Sequence, residues 1–246
     1  MTPELEIAAD MRELAELCAR QIVQHVQRAI DTRGRARLCA SGGSTPRAVY
    51  ARLARPDLAG QLDLERLHIY FGDERCVPPD HPDSNYRMLH ESFLAHVAVP
   101  EANVHRMAGE QPPEQARAAY EAELRAELAA AASGKPREPF DVVLLGLGED
   151  GHTASLFPGS PLEAAAWVAT RQQPQTAQWR ITLTEPALNA ARLALFMVSG
   201  SAKAQRVFEV LHGPRDPQRL PAQRIVPSGR LRFCIDRAAA QRMLSA

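Results

Sequence analysis

Hydrophobic and polar positions follow two rhythms along this chain. Between residues 10 and 30, Met11, Leu14, Leu17, Cys18, Ile22, Val26 and Ile30 recur near helical spacing with Arg and Glu between them, which predicts an amphipathic opening helix. The rhythm then changes. Arg37–Ala40, Leu67–Phe71, Phe140–Leu145, Leu193–Ser199 and Leu231–Ile235 are short, nearly continuous apolar runs, the pattern of strands covered on both faces, and Arg180–Thr184 reads as a further strand. Helical stretches are expected between them: Ala48–Leu53 with Pro46 in its first turn, an Ala/Glu-rich helix over 113–132 broken by Ser133-Gly134-Lys135-Pro136, Ala202–Leu211, and a terminal helix. Strand and helix alternate throughout, so the prediction is an α/β fold with a mostly parallel sheet flanked by helices on both faces. The Pro- and Gly-containing stretches near 78–84, 109–113, 133–139 and 213–221 are of loop length, so residues 1–246 are expected to form a single domain.

Composition narrows the partners. The 246 residues carry 29 Lys and Arg against 29 Asp and Glu, so no global field draws the protein to nucleic acid or to an acidic membrane, and any bound anion must be captured locally. Cys18, Cys39, Cys76 and Cys234 are scattered, without a C-x-x-C pair or a Cys/His cluster, which argues against a metal site and for reduced thiols in the cytoplasm. The N-terminus lacks a basic region followed by an apolar one, and no run approaches 18 apolar residues, so neither export nor membrane insertion is expected. No internal repeat stands out.

The candidate chemistry gathers where strands end. Phe140–Leu145 runs into Gly146-Leu147-Gly148-Glu149-Asp150-Gly151-His152, where three missing Cβ atoms let the chain turn and a ligand come close. In open α/β sheets the ligand crevice lies beyond the carboxyl ends of the strands, so His152 is expected in a cleft. The spacing spells G-x-G-x-x-G, but Glu149 and Asp150 would put two carboxylates in the phosphate turn, and no acidic ribose partner follows at the required distance; the dinucleotide reading is set aside and no cofactor is expected. Ser41-Gly42-Gly43-Ser44-Thr45-Pro46 joins a strand to a helix with small and hydroxyl residues, an anion cradle without Walker features. Asp73-Glu74-Arg75 ends another strand, and the Arg75 fork suits a phosphate or an oxyanion. Lys203 lies at a strand-to-helix junction, and Arg180 opens a strand as the weakest candidate. The remaining histidines show no H-E-x-x-H pattern.

Together, Ser41–Pro46, Gly72-Asp73-Glu74-Arg75 with Asn85-Tyr86, the run Gly146–Pro158, and Arg180–Thr184 resemble the motif series of the 6-phosphogluconolactonases, in order and over nearly the whole chain. The resemblance implies a Rossmann-like fold and cofactor-free hydrolysis of 6-phospho-D-glucono-1,5-lactone in the cytosolic oxidative pentose phosphate pathway. It also brings in glucosamine-6-phosphate deaminases of the same superfamily, which typically carry Asp-Glu-Tyr where this chain has Asp73-Glu74-Arg75 and an acidic residue where it has Phe157. A silent sugar-phosphate-binding protein is a third possibility, disfavoured because neither base nor cradle is missing. In the lactonase reading His152 is general base and then acid, because an imidazole with a reference pKa of about 6.5 suits both roles at neutral pH. Asp150 or Asp73 orients it, a choice left open. Arg75 positions the substrate and stabilises the oxyanion, and the phosphate lies on Gly42, Gly43, Ser44 and Thr45 with Lys203 and Arg180 beyond. The expected partner is a phosphorylated sugar lactone, with the protein a monomer or weak homo-oligomer.

Overall fold

Asp10 starts the first helix by accepting the N–H of Glu13 at 2.8 Å, and Gly34 ends it in the left-handed region at φ +78°. Between those caps Leu14, Cys18, Ile22, Val26 and Ile30 are all buried, the stripe predicted from their spacing. The structure, a computed structural model, describes residues 2–129 and 140–244. Its strands in chain order are β1 (Glu4–Ala8), β2 (Ala36–Ala40), β3 (Leu67–Phe71), β4 (Asp73–Arg75), β5 (Val104–His105), β6 (Val142–Leu145), β7 (Val168–Gln172), β8 (Trp179–Leu183), β9 (Leu193–Val198) and β10 (Arg230–Asp236). The helices are α1 (Met11–Arg33), α2 (Ser44–Leu53), α3 (Pro56–Ala59), α4 (Asn85–Ser92), α5 (Pro113–Ala129), α6 (Glu185–Asn189), α7 (Ala204–His212) and α8 (Gln241–Leu244). The predicted end of the Ala/Glu-rich helix at 130–132 and its Ser133–Pro136 breaker lie outside the described residues.

The main sheet has seven parallel strands in the order β1-β10-β9-β6-β2-β3-β5. Every residue of β6 and β9 is buried, so helices and loops cover both faces there, as the apolar runs predict. From β2 the chain steps outward through β3 and β5, then returns to place β6 on the other side of β2. The order therefore reverses between β2 and β6, and the crevice past their carboxyl ends is where an open α/β sheet accepts a ligand. No described helix is long and apolar enough to cross a membrane.

Two expectations need correction. The Arg180–Thr184 run does form a strand, but it lies outside the main sheet: β8 is the middle of a separate antiparallel sheet ordered β4-β8-β7. Asp73-Glu74-Arg75, read as a loop, is strand β4 of that sheet, paired to β8 with Arg75 opposite Arg180. Gly72 is the pivot between the two sheets: its N–H still bonds Ala40 of β2 while its carbonyl accepts the N–H of Leu183 in β8. β1 and β7 were not anticipated, because five residues with Leu5 and Ile7 exposed, or the polar end of Val168–Gln172, give too short an alternation to register.

Candidate active site

The strand-end loops converge on one cavity of about 320 Å³. Ser41, Gly42, Gly43, Ser44 and Thr45 line it from β2, Asp73 and Arg75 from β4, Gly148 and His152 from the loop after β6, Arg180 from β8 and Lys203 from the turn after β9. Asp150, which holds the imidazole from behind, completes the set of residues singled out in the sequence.

The cradle is the amino end of α2. Its N-cap is Gly43 at φ +110°, a conformation suited to glycine, and no side chain caps the helix, so its first N–H groups are left for an anion. Pro46 has no N–H to offer, which confines the donors to the very start of the helix. Tyr50, one helical face further on, fixes the entry strand: its hydroxyl accepts the N–H of Ser41 at 2.8 Å and donates to the Ser41 carbonyl at 2.9 Å.

The histidine loop closes on itself. Gly148 donates to the His152 carbonyl at 2.8 Å, and no helix follows the turn, so the G-x-G-x-x-G spelling presents no helix terminus to a pyrophosphate. Asp150 Oδ1 lies 2.5 Å from His152 Nδ1 and accepts the His152 backbone N–H at 3.0 Å. Burial pushes the Asp150 carboxyl up, but the two bonds from His152 outweigh it and hold the group at about 2. An ionised carboxylate on Nδ1 keeps the proton there and leaves Nε2 as the basic nitrogen. Gly148 is what admits this pair, since a Cβ on it would sit 2.1 Å from His152 Nδ1 and 2.6 Å from Asp150 Oδ1. The three glycines thus differ from the expectation of room for a ligand: Gly148 makes room for the imidazole and its carboxylate, Gly151 at φ +91° lies against Leu220, and only Gly146 faces open space. Phe157 is buried with its ring 5.2 Å from the imidazole.

Asp73 and Asp150 separate cleanly. Asp73 accepts the Ser155 hydroxyl at 2.7 Å and the Asn85 amide at 3.3 Å, so it ties β4 to the histidine loop without bonding His152. The Asn85 amide in turn presses on Gly42, where a Cβ would lie 2.0 Å from its oxygen. Ser155 and Asn85 therefore join cradle, β4 and histidine loop; both stand within the motifs quoted above, but neither signals by its type that it bonds a carboxylate. Glu74 is buried and used up: it accepts the N–H groups of Arg75, Asn85 and Tyr86 and the hydroxyl of Ser84, fixing the start of α4, while burial raises its pKa.

Arg75 and Arg180 stand side by side across the β4/β8 pair, and the Nε atoms of both are buried without a hydrogen-bond partner. Burial, and then the charge of Arg75, lower the Arg180 pKa. Arg75 spends one N–H on the Asp83 carbonyl at 2.6 Å. Lys203, a quarter exposed, has Glu149 3.7 Å from its ammonium. Gln173, in the turn between β7 and β8, also lines the cavity, and nothing in the sequence marks it. Among the described residues no cluster of His, Cys, Asp and Glu is arranged to hold a metal ion.

A family model described as glucosamine-6-phosphate isomerases/6-phosphogluconolactonase matches residues 9–233. A 6-phosphogluconolactonase of Synechocystis sp. is 37% identical over 244 residues, covering 99% of each chain. The crystal structure of the devB protein superposes with a TM-score of 0.87 at 30% identity, over 98% of this chain and 100% of that one. The 6-phosphogluconolactonase structure from Trypanosoma brucei gives 0.84 at 28% identity, over 98% and 99%. With all four motif segments reaching one cavity and the match running almost end to end, the chain belongs to the family of glucosamine-6-phosphate isomerases and 6-phosphogluconolactonases.

Proposed function

We propose that this protein hydrolyses 6-phospho-D-glucono-1,5-lactone to 6-phospho-D-gluconate with His152 as the proton carrier. The observation that carries the reading is the Asp150–His152 bond at the wall of a cavity that is also lined by Arg75 and Arg180, whose Nε atoms have no hydrogen-bond partner. His152 Nε2 takes a proton from water, and the resulting hydroxide attacks the lactone carbonyl. The tetrahedral oxyanion forms beside Arg75 and Arg180, whose donors are already in place before the reaction. The oxyanion then collapses, the bond from C1 to the ring oxygen breaks, and His152 returns its proton to that oxygen. The acid product loses its own proton to solvent.

The substrate's phosphate lies on Gly42, Gly43, Ser44 and Thr45 at the start of α2 with Lys203 beside it. Holding this remote group fixes the carbonyl over the base, so binding energy at a non-reacting end serves the reaction. Phe157 supports hydrolysis over deamination, since it sets an apolar ring against the imidazole and offers no carboxylate. The four cysteines are free thiols, three of them buried, which suits work in the reducing cytoplasm.

The test follows freshly made lactone against its spontaneous hydrolysis, with ammonia release from glucosamine 6-phosphate in parallel. Lactone consumption well above the blank, no ammonia, and a loss of about 10²- to 10⁴-fold in His152→Ala are expected. A lactone rate equal to the blank, or an unimpaired His152→Ala, overturns the proposal.

A further inference from the structure

The histidine loop is held from behind by a segment that lines no part of the cavity. The Gly151 carbonyl accepts the N–H of Ala222 at 3.0 Å, and the Gly151 backbone lies directly against Leu220. On the far side of His152, the Gly159 N–H bonds the Gln218 carbonyl at 2.9 Å. Both flanks of the loop are thus pinned to residues 216–224, and one side chain organises that segment.

Arg224 is 5% exposed and donates in four directions: Nε to the Pro217 carbonyl at 2.6 Å, Nη1 to Glu185 at 2.8 Å, and Nη2 to the Ser160 carbonyl at 3.0 Å and the Gln218 amide oxygen at 3.1 Å. The Ser160 contact matters because the Ser160 hydroxyl accepts the N–H of Phe157, and Phe157 carries the ring packed on the imidazole. A guanidinium is the side chain that can meet four acceptors from one buried position; a lysine offers three N–H groups from a single point and cannot span them. Burying that charge has a desolvation cost that an apolar plug would avoid, and Glu185 offsets it only by burying a second charge whose other oxygen has no hydrogen-bond partner. A packing role alone does not explain that choice.

We infer that Arg224 is a positioning residue for the reaction, setting the attitude of His152 along two routes: through Ser160 to the Phe157 ring, and through residues 217–222 to the Gly151 carbonyl. The inference rests on the reading of His152 as the base. Neither ring nitrogen of His152 touches Arg224, so its effect passes entirely through the loop.

The test compares Arg224→Lys, Phe157→Leu and the double variant, each normalised to folded protein by near-ultraviolet circular dichroism. Arg224→Lys is expected to lower kcat by about 10- to 100-fold, the size of effect seen when a catalytic group is misplaced by around an ångström, with KM within about twofold. The two changes should be less than additive in ln kcat, since both cut the route through Ser160 and Phe157, alongside which Arg224 has its second route through residues 217–222. If Arg224→Lys does not fold, Glu185→Gln, which keeps shape and acceptor but removes the countercharge, should still lower kcat with KM held. An unchanged kcat per folded molecule, a loss confined to KM, or strict additivity overturns the inference. Wild-type protein that hydrolyses no lactone, or a fully active His152→Ala, instead overturns the underlying assignment of the base, so the two failures are distinct.

Discussion

Two arginine clusters at opposite ends of the strands are built on opposite plans. At the amino end of β10, Arg230 grips both oxygens of Glu4 at 2.7 Å, and Arg232 bonds Glu4 and Glu6. Hydrogen bonds from Arg230 and then Arg232 hold the Glu4 carboxyl at about 2. At the carboxyl end, Arg75 and Arg180 stand opposite one another across β4 and β8, and the carboxylates nearest in sequence are turned to other tasks: Glu74 to the start of α4, Asp73 to Ser155 and Asn85. The first cluster is complete as it stands and ties β1 to β10. The second sets two like charges side by side, a repulsion that the charges of Asp73, Asp83 and Glu74 offset only in part, the kind of local conflict that proteins keep at functional sites.

The largest test of that contrast removes one charge from the crowded pair. Arg180→Gln should lower kcat/KM by about 10²- to 10³-fold, as loss of a preorganised donor does, while the thermal midpoint stays level or rises because the repulsion is gone. A fall in midpoint with activity intact, measured by calorimetry and lactone assay together, would reverse the roles of the two clusters. Lys203 is the intermediate case, since Glu149 stands at a loose 3.7 Å. Lys203→Ala should raise KM about 10-fold, with a smaller change in kcat, matching the loss of one charge-assisted contact to the phosphate. Unaltered kcat/KM would remove Lys203 from the phosphate site.

The smallest effect belongs to the complete cluster. Glu4→Gln should cost about 0.5–1 kcal/mol, because the pair is half-exposed and screened, and leave lactone hydrolysis within about twofold. Its pH dependence has a definite sign. The folded carboxyl is depressed from 4.5 to about 2, so its contribution is fully present above the ordinary glutamate range and fades as pH falls from there through about 2. Acid unfolding followed from pH 6 to 2 should show a smaller loss of stability in Glu4→Gln than in the wild type; parallel curves would show that the pair contributes nothing.

Legibility in the sequence followed physical scale. The stripe of α1 and the buried runs of β2, β3, β6, β9 and β10 were readable because burial leaves a periodic mark over many residues. The cradle and the histidine loop were readable because glycine clusters mark places where the backbone does something unusual. What those glycines do was less readable: the crowding of Gly148 by the imidazole, and of Gly42 by Asn85, depends on atoms brought together only by the fold. Strand β4 reads as a loop because three charged residues carry no apolar rhythm, and its pairing with β8 comes from a chain segment about a hundred residues away. Arg224 sits among prolines and glutamines in a stretch that reads as surface, and no local pattern distinguishes a guanidinium buried on four acceptors from a solvated one.

Gly148 has a use beyond explaining the loop. One added methyl group there collides first with the imidazole and its carboxylate, which supply its three nearest atoms. Gly148→Ala should therefore uncouple capture from turnover: 6-phosphogluconate should still bind in a calorimetric titration with near wild-type affinity, while lactone hydrolysis falls toward the blank. Equal losses of affinity and turnover would mean that the histidine also helps to hold the ligand. A protein that grips its sugar phosphate but turns it over slowly is a substrate trap, and in this chain it lies one carbon atom away.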